Sequence, residues 1–300
     1  MYAIVGATGN TGKIIALTLL DRGQQVRVLG RDANRLASFT QKGAEPFIAD
    51  ATDANALTKA FTGAKAAFVM VPPNVTAPDV AAYSGQVSDA AAAALERAGV
   101  DYAVLLSSIG ADKPSGTGPV AGLHKFEQKL SGITRLNALC IRAGYFMENL
   151  LPQVEAIKTF GMMAGPLNPG RAVPMIATRD IGAYAADALL KLNFKGKQMR
   201  ELLGQRDVSY SEAVSIIGKA IGKPDLAYTE LPAAQLKPVL TQMGMSGSMA
   251  DLLLEMAQAI NSGHMAALEP RTAGNTTPTS IEQFVAQVFA PMFQGKAAGA

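Results

Sequence analysis

Residues 6–12 read GATGNTG and directly follow the apolar run YAIV at 2–5. Glycines at 6, 9 and 12 suit a loop whose backbone approaches a phosphate. Gly6 allows a sharp exit from a strand, Gly9 allows close approach, and Gly12 lets the next helix pack tightly on that strand. The amides of Asn10, Thr11 and Gly12 would then point from a helix N-terminus at a pyrophosphate. The spacing is GxxGxxG rather than the usual dinucleotide GxGxxG, and a tight turn without ligand is the competing possibility. The context decides for binding, because the loop follows a strand, opens a helix and begins a βαβ pattern.

The end of the second strand selects the nucleotide. It reads LGRDANR (29–35), with Arg31 first after Gly30 and Arg35 one helical turn further on. Cations there suit a 2′-phosphate and favour NADP(H); Asp32 keeps NAD(H) open, since an acid at this place bonds a 2′-hydroxyl. Asp50 closes the third strand and can accept from an adenine amino group or cap a helix. Val71, Pro72 and Pro73 end the fourth strand and would pack on the adenosine side.

Such residues need a scaffold that gathers strand ends. Apolar strand-like runs lie at 2–5, 25–30, 45–50, 65–71, 101–108 and 136–142. Helical patterns separate them at 13–22, 34–42, 53–61, 78–98 and 122–131, with Asp53 as a cap. Almost wholly apolar strands alternating with helices predict a parallel sheet covered on both faces, a Rossmann-type doubly wound α/β fold. Its ligand site belongs at the carboxyl ends of the strands.

The rhythm breaks after about residue 150. The Gly- and Pro-rich stretch 161–174 reads as loop or short hairpin, 179–190 as a helix, and 197–204 as a strand that returns to the sheet. A helix over 209–223, capped by Ser209 or Ser211, a short strand within 225–232, and helices at 233–243 and 248–262 follow. The last six residues, GKAAGA, read as a frayed end. The expected division is a dinucleotide-binding domain over 1–150, completed by about 172–204. A smaller α+β substrate-binding region comprises 151–171 and 205–300.

Composition narrows the classes. The 300 residues are 49% hydrophobic and 17% charged, with a net charge of +3 spread along the chain, so no basic patch points to nucleic acid. No apolar stretch reaches the roughly 18 residues of a membrane span, and no charged segment precedes an apolar N-terminal run. These features predict a soluble, cytoplasmic protein without a membrane partner. The single cysteine, Cys140 in ALCI, reads as a buried thiol, and the two histidines form no metal site with it. The 13 methionines read as core filling, with a soft, permissive pocket as the sharper alternative.

GATGNTG, VLGRD (28–32), IADATD (48–53) and RAGYFMENLL (142–151) together resemble the NmrA-like family, an atypical branch of the short-chain dehydrogenase/reductase superfamily. RAVPMIATRDIG (171–182) fits the family's return to the sheet, and the resemblance covers roughly residues 1–220. It implies NADP(H) contacts at Gly6, Ala7, Thr8, Gly9, Asn10 and Thr11, at Arg31, at Asp50 and Ala51, and at Val71 to Pro73. It also implies contacts beside the nicotinamide from Phe146, Met147, Glu148 and Asn149. Phe146 and Met147 would pack on the ring; Asn149 would bond the carboxamide or hold the loop; Glu148 would fix the turn.

Standard members of that superfamily use a Tyr-x-x-x-Lys pair and a Ser. Ser107 and Ser108 end the fifth strand, where the Ser belongs. The following helix reads VAGLHKFEQKL, and Ala121 stands four residues before Lys125, so the tyrosine is absent. His124 falls where relatives carry a Lys or His that reaches the nicotinamide ribose; a plain helix-surface histidine is the alternative. Tyr145 and Tyr83 are further candidate proton donors, and His264 reads as a residue just past a helix. Two functions follow: an NADP(H)-dependent reductase of a quinone, azo or other conjugated electrophile, or a non-catalytic NADP(H)-binding redox sensor working through a partner protein. The expected ligand is a small apolar or aromatic molecule, and a homodimer is open.

Overall fold

The structure is a computed structural model that describes residues 1–296. The N-terminal half alternates β1 (Tyr2–Val5), α1 (Asn10–Asp21), β2 (Val26–Gly30), α2 (Ala33–Thr40), β3 (Glu45–Ile48) and α3 (Ala54–Phe61). It continues with β4 (Ala66–Val69), α4 (Val80–Arg97), β5 (Tyr102–Ser108), α5 (Val120–Gly132) and β6 (Asn137–Ala143). Then come β7 (Tyr145–Phe146), a short 3-10 turn (Met147–Leu150), α6 (Gln153–Phe160), β8 (Met163–Gly165), β9 (Ala172–Ile176), α7 (Thr178–Lys191) and β10 (Lys197–Leu202). The rest comprises β11 (Asp207–Ser209), α8 (Tyr210–Ala220), β12 (Tyr228–Glu230), α9 (Ala233–Gln242), α10 (Gly247–Ser262), α11 (Ile281–Phe284) and α12 (Ala290–Phe293).

Seven strands form one sheet in the order β10-β6-β5-β4-β1-β2-β3, and every neighbouring pair is parallel. This is the expected doubly wound Rossmann-type sheet. The order reverses between β1 and β4, so the connections diverge there and leave a crevice at the carboxyl ends. Alternate strand residues face opposite layers. Ile4, Val28, Phe68, Val104 and Ile141 meet Ile15, Leu19, Leu36 and Ile181 of α1, α2 and α7. Val5, Leu29, Val69, Leu105 and Cys140 meet Leu57, Phe61, Leu95 and Phe126 of α3, α4 and α5. Two-sided burial is why these strands read as continuous apolar runs.

A second core joins Leu150, Val154, Met163, Met175, Tyr210, Ile217, Phe284 and Phe289. Several methionines thus fill core rather than line open space. Within 172–204, α7 and β10 complete the large sheet, but β9 does not: it pairs with β7 and β11 in a separate three-stranded sheet. β8 pairs with β12 in a further two-stranded sheet, giving the Gly- and Pro-rich stretch more order than loop. Helix α1 begins at Asn10, earlier than its apolar periodicity announced, because Gly9 serves as its N-cap. Ser209, rather than Ser211, caps α8. The helical segment after Ser280 was not foreseen, although Ser280 and Gln283 form a reciprocal capping box. Of the end expected to fray, 297–300 lie outside the described residues. Among those described, no helix is long and apolar enough to cross a membrane.

Candidate dinucleotide and active site

The glycine turn is built as a phosphate cradle requires. Gly6 has φ +70°, and its carbonyl accepts from the Gly9 amide at 2.9 Å, closing the turn. A β-carbon on Gly12 would stand 2.2 Å from the Gly6 carbonyl oxygen, so helix and turn touch backbone to backbone. Among the described residues no side chain caps α1, and its first turn holds no acid. By contrast, Asp32, Asp53 and Asp79 cap α2, α3 and α4. The N-terminal amides of α1 therefore stay available, and the helix dipole favours an anion there.

A cavity of about 340 Å³ opens beside this turn. Gly6, Thr8 and Gly9 form one wall, and Arg31, Asp32 and Arg35 form another. Asp50, Ala51, Met70, Pro72, Pro73 and Tyr83 complete it. Arg31 and Arg35 are exposed, and neither is ion-paired with a described residue. Asp32 is committed: its Oδ1 accepts from the Asn34 amide at 2.8 Å to cap α2. Asp50 accepts from the Thr52 hydroxyl (2.7 Å) and amide (2.8 Å), both on Oδ1. These bonds, aided by the Arg31 charge, hold its carboxyl below the usual value, so it stays an acceptor. Uncapped amides, two free guanidinium groups and an acid beyond the third strand fit a dinucleotide carrying an extra phosphate. Ala7, Thr11 and Gly12 are buried, so they offer backbone rather than side chains. Val71 does not line the cavity and packs against the core beside α3 and α4.

The other half of such a ligand would cross the ends of β5 and β6. His124 on α5 bonds the Ala111 carbonyl through Nδ1 at 2.8 Å. A carbonyl only accepts, so Nδ1 donates, and Nε2 is the ring nitrogen without a partner among the described residues. Ser107 is out of a ligand's reach: it is 2% exposed, and its hydroxyl donates to Glu127 at 2.6 Å. Glu127 also receives a two-point contact from the Arg142 guanidinium, at 3.0 and 2.6 Å. The network ties α5, which carries His124, to β5 and β6. Cys140 is buried beside it, with its thiol pushed up to about 12 by burial and by the Glu127 charge, which removes it as a nucleophile.

Around β7 the structure redistributes the expected roles. Phe146 is half-buried and packs against the sheet core. Met147 is 1% exposed in the second core, so its side chain presents no face to a ligand. Glu148 accepts from the Thr178 hydroxyl (2.5 Å) and amide (3.0 Å), anchoring the start of α7 to the turn. Asn149 is exposed. Tyr145 hydrogen-bonds Tyr210 at 2.9 Å. Tyr83 lines the cavity beside Asp50 and Arg31. His264 follows α10 and sits 3.3 Å from the Ser115 carbonyl, against the loop after β5.

Met70, Glu127 and Tyr210 belong to the site region without a sequence motif that marks them. Met70 closes the cavity, with its sulfur 2.7 Å from where a Gly6 β-carbon would stand. Its position right after β4 was a usable signal. Glu127 and Tyr210 carried none, since their partners are distant in sequence.

The NmrA-like family model matches residues 2–290. An NAD(P)H azoreductase from Xenophilus azovorans is 29% identical over 287 residues, covering 94% of this chain and 96% of that protein. An NADPH-dependent quinone oxidoreductase from Escherichia coli superposes with a TM-score of 0.78 at 23% identity, covering 96% of this chain and 100% of that one. A triphenylmethane reductase from Citrobacter sp., complexed with NADP(H), superposes with a TM-score of 0.76 at 19% identity, over 96% and 99% of the two chains. Match and superposition run through both cores, and the chain belongs to the NmrA-like family.

Proposed function

We propose that this protein is an NADP(H)-dependent reductase that passes hydride to a small conjugated electrophile, a quinone or an azo compound. The observation that carries the cofactor assignment is the cavity with the glycine turn that leads into the uncapped α1 on one wall, and Arg31 and Arg35, unpaired among the described residues, on another. The related azoreductase, quinone oxidoreductase and triphenylmethane reductase support the substrate class. When bound, the dinucleotide supplies the hydride. The chain's own groups bind and orient: α1 amides hold the pyrophosphate, Arg31 and Arg35 the 2′-phosphate, and Asp50 the adenine. His124, its Nδ1 fixed on Ala111, leaves Nε2 as the ring nitrogen for the ribose or the acceptor. Residues 151–171 and 205–296 shape the acceptor site above the strand ends.

Conjugated acceptors suit a site without the Tyr-x-x-x-Lys pair, because the anion left after hydride addition is delocalised and needs less help from an acid. Ala121 in the tyrosine position and the locked Ser107 hydroxyl favour a second possibility, a redox sensor that binds NADP(H) without turnover. One experiment separates them: NADPH oxidation is followed with a panel of quinones and azo compounds, beside direct titration of NADPH binding. Turnover of any acceptor supports the reductase, and tight binding with no turnover supports the sensor. In the reductase, His124→Ala should lower turnover about tenfold or more; unchanged turnover and affinity would remove His124 from the site.

A further inference from the structure

The hydroxyls of Tyr145 and Tyr210 lie 2.9 Å apart, in a T-shaped pair with ring centroids separated by 6.2 Å. Tyr145 stands at the carboxyl end of β6, where the Ile109 amide donates to the Ala143 carbonyl at 3.0 Å. It therefore sits over the same strand ends as the loop that holds His124. Its ring joins Ala111 and Leu123 in the second core, whereas the adjacent Phe146 turns to the sheet.

The direction of the hydrogen bond follows from what each phenol can satisfy. Tyr210 is 5% exposed, and among the described residues its hydroxyl has no partner other than Tyr145. If Tyr145 were the donor, the Tyr210 proton would be buried with no acceptor, which is the costly arrangement. Tyr210 therefore donates and the Tyr145 oxygen accepts. Among the described residues, the Tyr145 hydroxyl has no hydrogen-bond partner besides Tyr210. The proton of Tyr145 is thus not consumed inside the protein, and this residue, unlike Tyr210, is partly exposed. Tyr228, packed on Tyr210 at 5.1 Å, gives its own proton to the Leu167 carbonyl.

We propose that Tyr145 is the proton donor to the reduced acceptor, with Tyr210 as the positioning residue that stabilises the phenolate left behind. The assignment rests on the reductase function above. Hydride addition brings the acceptor two electrons and one hydrogen; the O–H bond of Tyr145 then breaks, and its proton goes to the anionic oxygen or nitrogen of the acceptor. The phenolate, held by the Tyr210 hydroxyl, is reprotonated from water on its partly exposed side. The acceptor gains two electrons and two hydrogens, and the nicotinamide is oxidised. Burial raises both phenols above their ordinary value, which keeps Tyr145 protonated at neutral pH.

The test uses the full chain with saturating NADPH and two acceptors, a benzoquinone and an azobenzene. Their product anions differ in basicity, the nitrogen anion needing the acid more. Tyr145→Phe should lower kcat with the azobenzene about 100-fold and with the quinone less than about tenfold, while NADPH affinity holds. Tyr210→Phe should show a smaller loss in the same order. Should Tyr145→Phe fail to fold because the Tyr210 hydroxyl is orphaned, the Tyr145→Phe/Tyr210→Phe double variant removes that orphan and carries the same comparison. An unchanged kcat on both acceptors, or an equal loss on both, overturns the assignment. A wild type that binds NADPH and reduces neither acceptor overturns the reductase function itself, and this assignment with it.

Discussion

Gly12 approaches Gly6 so closely that a β-carbon on it would lie 2.2 Å from the Gly6 carbonyl oxygen, whereas one on Gly9 would lie 3.3 Å from the same atom. Backbone cannot move aside as a side chain can, so Gly12→Ala must lever α1 off its turn. It should cost about 3 kcal/mol of stability and weaken NADPH binding, while Gly9→Ala is milder on stability. Denaturant unfolding and a binding titration check both. A Gly12→Ala protein as stable as wild type would show that the turn is not closed this way.

Arg31 is the cation nearest the second-strand end without an ion-pair partner among the described residues, and the neighbouring Asp32 is engaged in capping α2. Arg31→Glu should weaken NADPH about tenfold or more while changing NADH little, and added salt should narrow the wild-type preference because the group is exposed. Parallel titrations with the two dinucleotides decide it; equal losses would remove the guanidinium from the 2′-phosphate.

Ser107 faces Glu127, not the cleft. Ser107→Ala should therefore cost about 1 kcal/mol of stability and leave kcat unchanged. Glu127→Leu strands the Arg142 guanidinium, whose side chain is 12% exposed, and should cost about 3–5 kcal/mol. Thermal unfolding and steady-state turnover of both variants test the pair. A large kcat loss in a stable Ser107→Ala protein would restore that hydroxyl to the chemistry.

Burial raises the Glu148 carboxyl above its ordinary value of 4.5, against the pull of the Thr178 hydrogen bonds. The folded state thus holds this proton more tightly than the unfolded chain. Its contribution to stability is complete below the unfolded value and is lost as pH rises through the higher folded value. Compared with Glu148→Gln, which cannot titrate, the wild type should lose stability as pH rises above the ordinary value of 4.5 and through the raised folded value. Urea unfolding of both proteins at several pH values measures the difference. A wild type that gains on the variant across that range would contradict the burial.

The cofactor half of the site was legible because its signals are local. A strand, a three-residue glycine spacing and a helix lie within twenty residues of one another, and Arg31 and Asp50 stand directly past strands that their apolar runs announced. The missed helix after Ser280 was also locally encoded, in the Ser280–Gln283 box. The catalytic half was not legible. Ser107 looked free until Glu127, 20 residues away, and Arg142 closed on it.

The amino-acid sequence by itself determined the doubly wound sheet and the phosphate turn, because backbone conformation and face alternation depend on neighbours a few positions apart. Only the tertiary structure decided which polar groups remain free for a ligand. It placed β9 outside the main sheet, bound Glu148 to the start of α7, 30 residues on, and set Tyr145 against Tyr210, 65 residues away. A hydroxyl or carboxylate is available or satisfied according to what packing brings within 3 Å of it, and that depends on every element of the fold at once.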